Sequence, residues 1–164
     1  MSSPNASTPG NPTPAEEIRR VKVVREAIGP DIKLMCDINQ LWSVHQCIDV
    51  ARRVEDAGAA AVAVHGRTAA QSYSGLADWS LVSAIAERLA IPVFGSGDCV
   101  EPEQIVQRMA SGVSGVLVGR GVLRNPWILG QAADLAAGRP PRQVSLTDRG
   151  RFLLEYIDLL LLDG

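Results

Sequence analysis

Cysteine is scarce: Cys36, Cys47 and Cys99 are the only three in 164 residues, and no two stand in a CxxC spacing. An odd, scattered set argues against a disulfide framework or a zinc site and for reduced thiols in a cytoplasmic protein. Long apolar runs are lacking too. The longest near the C-terminus, Leu159 to Leu162, falls far short of the roughly 20 residues that span a bilayer. No basic-then-apolar leader opens the chain. Asn5-Ala6-Ser7 matches a glycosylation sequon, but without such a leader the match is chance. Nor is there an excess of charge of either sign. Sixteen basic against eighteen acidic residues leave a net charge of −2, so an RNA-directed role would need a local basic patch or a further domain.

What is present is an ordinary globular composition, 46% hydrophobic and 21% charged. The length supports one domain with a real core. It is short for an eight-unit β/α barrel, which usually takes roughly 250 residues.

Residues 1–14 carry Ser, Pro, Asn, Thr and Gly with almost no apolar content, which predicts a disordered tail. Thr13-Pro14-Ala15-Glu16 then reads as a helix start, with Thr13 as N-cap, Pro14 at the first helical position and Glu16 completing a capping box. Ile18, Val21, Val24, Arg25 and Ile28 recur at helical spacing, and Gly29-Pro30 ends the helix. Beyond it, short apolar runs alternate with longer helical segments. Strands are predicted at Ile32–Cys36, Ala60–Val64, Pro92–Phe94 and Gly115–Val118. Helices are predicted at about Val44–Ala57, Trp79–Leu89, Pro102–Ser111 and Asn125–Ala137. Four βα units define an α/β fold, and their spacing suits either a β/α barrel or a doubly wound sheet; the expectation carried forward is a partial (half) TIM-type β/α barrel with flanking N- and C-terminal helices. Gly138-Arg139-Pro140-Pro141 breaks the pattern, and Ser145 caps a last helix from Leu146 to about Leu162. The expected organisation is a tail at 1–14, a half-barrel domain at 15–140 and the start of a helical domain at 141–164. A half-barrel exposes two sheet edges, so a homodimer that closes the barrel is a candidate assembly.

In βα folds the working residues sit at the C-terminal ends of strands. One strand runs into Gly95-Ser96-Gly97-Asp98 and the next into Gly119-Arg120-Gly121. Glycines let backbone N–H groups approach an anion, and a guanidinium chelates phosphate oxygens. Either turn alone is a weak signal; the pair on successive units points to a phosphate site. The preceding strand ends in His65-Gly66-Arg67-Thr68, followed by Gln71 and Tyr73, a crowd of polar groups that suits a polar ligand. Asp78-Trp79 reads as helix cap and core aromatic.

The runs HGRTAAQSYSGLADW, IPVFGSGD and GVLVGRGVLRNPWI, in this order and spacing, resemble the second half of a tRNA-dihydrouridine synthase, strongly over about residues 54–128 and more weakly to Leu162. That family is an FMN-binding TIM barrel followed by a helical domain. It reduces uridine in tRNA and uses NADPH to recharge the flavin. The resemblance implies that His65 contacts FMN, that Ser96, Gly97, Asp98, Gly119 and Arg120 cradle its phosphate and ribityl chain, and that Arg67 lies near the substrate base. Ser96 stands where the family usually has Asn. The family's Asn-x-Gly-Cys-Pro loop, whose cysteine protonates uracil, has no counterpart here, and none of the three cysteines inherits its role. The family's flavin-contacting lysine falls at about Met35, two residues from Lys33. No catalytic residue is therefore assigned, and little activity is expected of this chain alone.

Residues 15–53 resemble a different barrel, the enolase superfamily of the mandelate racemase type, which suggests a chimera. That resemblance makes Asp37 a Mg²⁺-binding carboxylate with Asn39 beside it. A magnesium site needs further oxygen ligands, and on the following strand ends only Asp98 is available. Solvated or capping roles for Asp37 and Asn39 are the preferred reading, with no metal ligand assigned. A non-catalytic half-barrel scaffold that binds at most phosphate remains the alternative function.

Overall fold

The computed structural model describes residues 13–38, 44–68, 70–72 and 74–162. Most of the expected tail, together with Asn39 and Tyr73, lies outside the described residues. The first helix, α1, spans Pro14–Ile28. Its capping box forms as read: Thr13 Oγ1 accepts from the Glu16 N–H at 3.3 Å, and the Glu16 carboxylate accepts from the Thr13 N–H at 2.6 Å. Gly29 closes the helix at φ +73°. Ile18 and Val21 are buried, whereas Val24 is exposed. Arg25 serves the fold in another way. Its guanidinium donates to the carbonyls of Gly29, Ile32 and Gly58, pinning the end of α1 to the turn after the next helix.

Four strands, β1 (Met35–Ile38), β2 (Ala61–His65), β3 (Val93–Ser96) and β4 (Gly115–Leu117), form one parallel sheet in that order. The helices α2 (Val44–Asp56), α3 (Trp79–Ala86) and α4 (Pro102–Met109) lie between them, and the short α5 (Arg120–Arg124), α6 (Ile128–Ala136) and α7 (Leu146–Leu162) follow. Register pairs Asp37 with Ala63, Ala63 with Phe94, and Phe94 with Gly115. Because side chains alternate along a strand, Val62, Val64 and Val93 share the face that joins the core. There they belong to one buried cluster with Val50 and Val54 of α2 and Val82 and Ile85 of α3. The opposite face presents Asp37, His65, Phe94, Ser96 and Leu117. At the sheet's two edges, Met35 and Leu117 on this face are exposed.

The first strand starts three residues later than the apolar run predicts. Ile32 is exposed and offers its carbonyl to Arg25, while Met35, Cys36, Asp37 and Ile38 alternate between exposed and inward positions. An edge strand covered on one face follows period 2 rather than a continuous apolar run. The expected helix over Asn125–Ala137 begins at Ile128, and α5 precedes it as a separate turn. The last helix, α7, runs as expected from a Ser145 cap, whose Oγ accepts from the Asp148 N–H at 3.1 Å. Not one of its residues is buried. It meets the body where Phe152 packs edge-on against Trp127, with centroids 5.4 Å apart.

Candidate functional site

The rim at the C-terminal ends of the strands holds a pocket of about 390 Å³. Its lining includes Asp37 from β1, His65 from β2, Ser96 to Val100 from the end of β3 onward, and Leu117 to Gly121 from the end of β4 onward. All six residues expected to hold a cofactor therefore surround a single cavity. Asp37, expected in a solvated or capping role, joins them. The adjacency follows from topology, since parallel strands in sequential order bring successive strand ends side by side.

Packing fixes the turn after β3. Gly97 adopts φ +122°, and a Cβ there would stand 2.5 Å from Ala77 Cβ, so only glycine fits. Its carbonyl accepts from the Trp79 indole N–H at 2.9 Å, so the residue read as a core aromatic also pins the turn. Asp78 caps α3 as read, accepting from the N–H groups of Ser80 and Leu81. Asp98 follows at φ +53°, a conformation that non-glycine residues adopt rarely and Asp and Asn more readily than most. The turn after β4 closes against this one. A Cβ on Gly121 would collide with the carbonyl oxygen of Cys99.

His65 and Ser96 share a hydrogen bond of 2.8 Å between Nδ1 and Oγ. Burial lowers the pKa of His65 below its ordinary 6.5, and the Arg67 guanidinium lowers it further, against the opposing pull of Asp98, Ser96 and Asp37. The imidazole is accordingly neutral at neutral pH. Although Asp37 is open at the rim, partial desolvation pushes its carboxyl up, with His65 opposing.

Arg67, expected near a substrate base, is buried, with a side chain only 2% exposed. Its Nη2 donates to the Gly75 carbonyl at 2.7 Å and to Asp98 Oδ1 at 2.5 Å. The other oxygen of Asp98 accepts from the Ala77 N–H at 2.6 Å. Arg120 approaches the same carboxylate at 3.8 Å and is about half exposed. Burial pushes Asp98 up, but the Ala77 N–H and the two arginines outweigh it and hold the carboxyl below the usual range. Gln71 accepts from Thr68 within its own loop. Sequence reading missed this Arg67–Asp98 pairing, because nothing local signals a contact across 31 residues.

Among the described residues no three or more His, Cys, Asp or Glu side chains converge as a metal site requires. Asp98, the available partner for Asp37 in a magnesium reading, is engaged by Arg67. Cys47 and Cys99 are buried and Cys36 half-buried, and none of the three is in a disulfide. Lys33 precedes β1, and the strand itself (MCDI) contains no lysine.

A parallel sheet with helices between its strands and a polar pocket at its C-terminal rim defines a partial TIM-type β/α barrel. Solved barrel structures share this fold. A dihydrodipicolinate synthase family protein from Coccidioides immitis superposes with a TM-score of 0.59 at 19% identity, over 73% of this chain and 40% of that one. An enolase from Bradyrhizobium, complexed with magnesium and mandelic acid, gives 0.58 at 22% identity over 78% and 34%. Identities this low speak to the fold alone.

Sequence comparison supplies the family. The model described as Dihydrouridine synthase (Dus) matches residues 13–161, and the chain belongs to that family. The tRNA-dihydrouridine synthase B of Pseudomonas putida is 37% identical over 115 residues, covering 69% of this chain and 34% of that protein. A Rhodobacter capsulatus protein named "Probable tRNA-dihydrouridine synthase" is 30% identical over 152 residues, covering 90% and 46%. This chain thus spans between a third and a half of the length of these two relatives. The family match takes in residues 15–53, the stretch that also resembles the enolase superfamily.

Proposed function

We propose that this chain is the phosphate-binding half of an FMN-dependent tRNA-dihydrouridine synthase. The observation that carries the reading is the meeting of two glycine turns and Arg120 around one pocket on adjacent strand ends. In this reading Ser96, Gly97, Asp98, Gly119 and Arg120 form the cradle for the phosphate and ribityl chain, and His65, neutral and held by Ser96, contacts the flavin. The residues fit such a group: the pocket combines a guanidinium, a hydroxyl and close backbone approach at one end with the apolar walls of Leu117 and Val118. Bound FMN would supply the hydride for reduction of a uracil ring, with NADPH as its reductant. The residues here bind and orient; the Asn-x-Gly-Cys-Pro loop whose cysteine would deliver the proton has no counterpart in the sequence, so the chain alone is expected to reduce uridine little or not at all. The setting is cytoplasmic, where tRNA is found, and among the described residues no helix is long and apolar enough to cross a membrane. Helix α7 is the start of the family's helical domain.

Titrating FMN with the purified chain tests the reading. Expected is saturable quenching of flavin fluorescence in the micromolar range, weakened about tenfold or more in Arg120→Ala through loss of a charge-assisted phosphate contact. Absence of quenching at high micromolar protein would reject it. Formation of dihydrouridine in tRNA by this chain alone would reject the statement about turnover.

Met35 and Leu117, exposed at the two sheet edges, favour a second reading in which the chain is a scaffold that closes a barrel with a second copy. A monomer by sedimentation at micromolar concentration rejects that assembly.

A further inference from the structure

Asp98 has three partners of unequal reach. Arg67 donates to it at 2.5 Å from a side chain 2% exposed, the Ala77 N–H at 2.6 Å, and Arg120 stands at 3.8 Å with a side chain 49% exposed. A carboxylate facing a phosphate site is unfavourable twice over: it repels the anion, and it competes with the anion for the nearby guanidinium. Arg67 is itself costly to bury. Its Nε and Nη1 are enclosed without a protein hydrogen-bond partner, so an apolar residue of similar size would suit the core better. What burial of this arginine does provide is a fixed positive charge on Asp98, placed by the loop that also brings the Gly75 carbonyl to the same Nη2.

Resting on the reading of this pocket as a phosphate cradle, we propose that Arg67 is a positioning residue that neutralises Asp98 from beneath, so that Arg120 directs its charge to the bound phosphate rather than to the carboxylate. Within the cluster Arg67 offsets the Asp98 carboxylate, so that carboxylate draws less on Arg120. Asp98 in turn holds the Arg67 loop against the turn after β3 through the Ala77 N–H, and it acts on the phosphate through the two arginines rather than by direct contact. Removing Arg67 would leave Arg120, 3.8 Å away, as the arginine beside Asp98 among the described residues, and the carboxylate would then compete with the anion for it. Arg67 thus determines affinity without touching the ligand.

The test is calorimetric titration of the full chain with inorganic phosphate, comparing wild type, Arg67→Met, Asp98→Asn and Arg67→Met/Asp98→Asn. Arg67→Met is expected to weaken phosphate binding about tenfold, and the double variant to recover to within about threefold of wild type, because the competing carboxylate has gone. Asp98→Asn alone is expected to tighten binding about threefold; Asn tolerates the left-handed backbone at this position and still offers an oxygen to the Ala77 N–H. Unchanged binding in Arg67→Met, or a double variant as weak as Arg67→Met, overturns the proposal while the cradle stands. Should Arg67→Met fail to fold, Asp98→Asn decides: tighter binding supports the competition, and equal or weaker binding overturns it. If wild type itself binds no phosphate, the cradle reading falls first and the proposal falls with it.

Discussion

The strand-end rim and helix α7 are opposite uses of sequence. The rim is polar and glycine-rich, yet it is tightly determined: Gly97 packs on Ala77, Gly121 on the Cys99 carbonyl, and Arg67 is sealed under Asp98. Helix α7 is rich in leucine, yet none of its seventeen residues is buried. Apolar content thus says little about where this protein is rigid. Rigidity follows the number of neighbours that converge on a group, which among the described residues of α7 are few: Phe152 against Trp127, Arg149 over the same ring, and Asp148 paired with Arg142.

Substitutions can sharpen or break that contrast. The largest effect is expected beneath the rim, where Ile85 is fully buried: Ile85→Ala should cost about 2–5 kcal/mol by chemical denaturation. In the rim itself, Gly121→Ala should cost about 1–3 kcal/mol, since the added methyl meets a backbone carbonyl that cannot swing aside. The same variant should lose phosphate binding, because the turn after β4 must move. A stable Gly121→Ala with intact binding would show the rim to be softer than its packing implies.

A smaller effect concerns pH. His65 titrates below 6.5 in the folded chain, so the unfolded state takes up its proton first, and stability falls as pH drops from 6.5 through the lowered value. Asp98, held below 3.8, adds a loss of the same sign at lower pH, as its carboxylate is protonated. His65→Gln should flatten the slope of stability against pH just below 6.5 and leave the loss at lower pH in place. An unchanged slope near pH 6 would mean that the imidazole is no more buried than in the unfolded chain. The smallest effect belongs to α7, where Leu160→Ser should change stability by less than about 0.5 kcal/mol. A loss as large as that of Ile85→Ala would show that the leucine face is covered, by a second copy or by further chain.

Much of the framework is legible along the chain. The Thr13 capping box, the Asp78 cap and the alternation of strand and helix rest on interactions among near neighbours, which sequence spacing reports directly. The meeting of the two glycine turns follows from the order of elements, because turns on successive βα units become neighbours in a sequential parallel sheet. The offset of β1 and the separate turn of α5 were not legible. Whether Ile32 enters the sheet depends on Arg25 claiming its carbonyl, and that claim comes from another element.

By itself, the sequence determined the helices and their caps, the four βα units, the family to which the chain belongs and the two turns that meet at the pocket. These depend on local conformational preference and on the order of elements. Tertiary structure alone decided the charge balance at that pocket: that Arg67 lies under the rim rather than on it, that Asp98 belongs first to Arg67 and only loosely to Arg120, and that Asp37 faces the same cavity. The physical reason is that an ion pair depends on separation in space and on the water excluded around it, and residues 31 apart in sequence acquire both only once the sheet has formed.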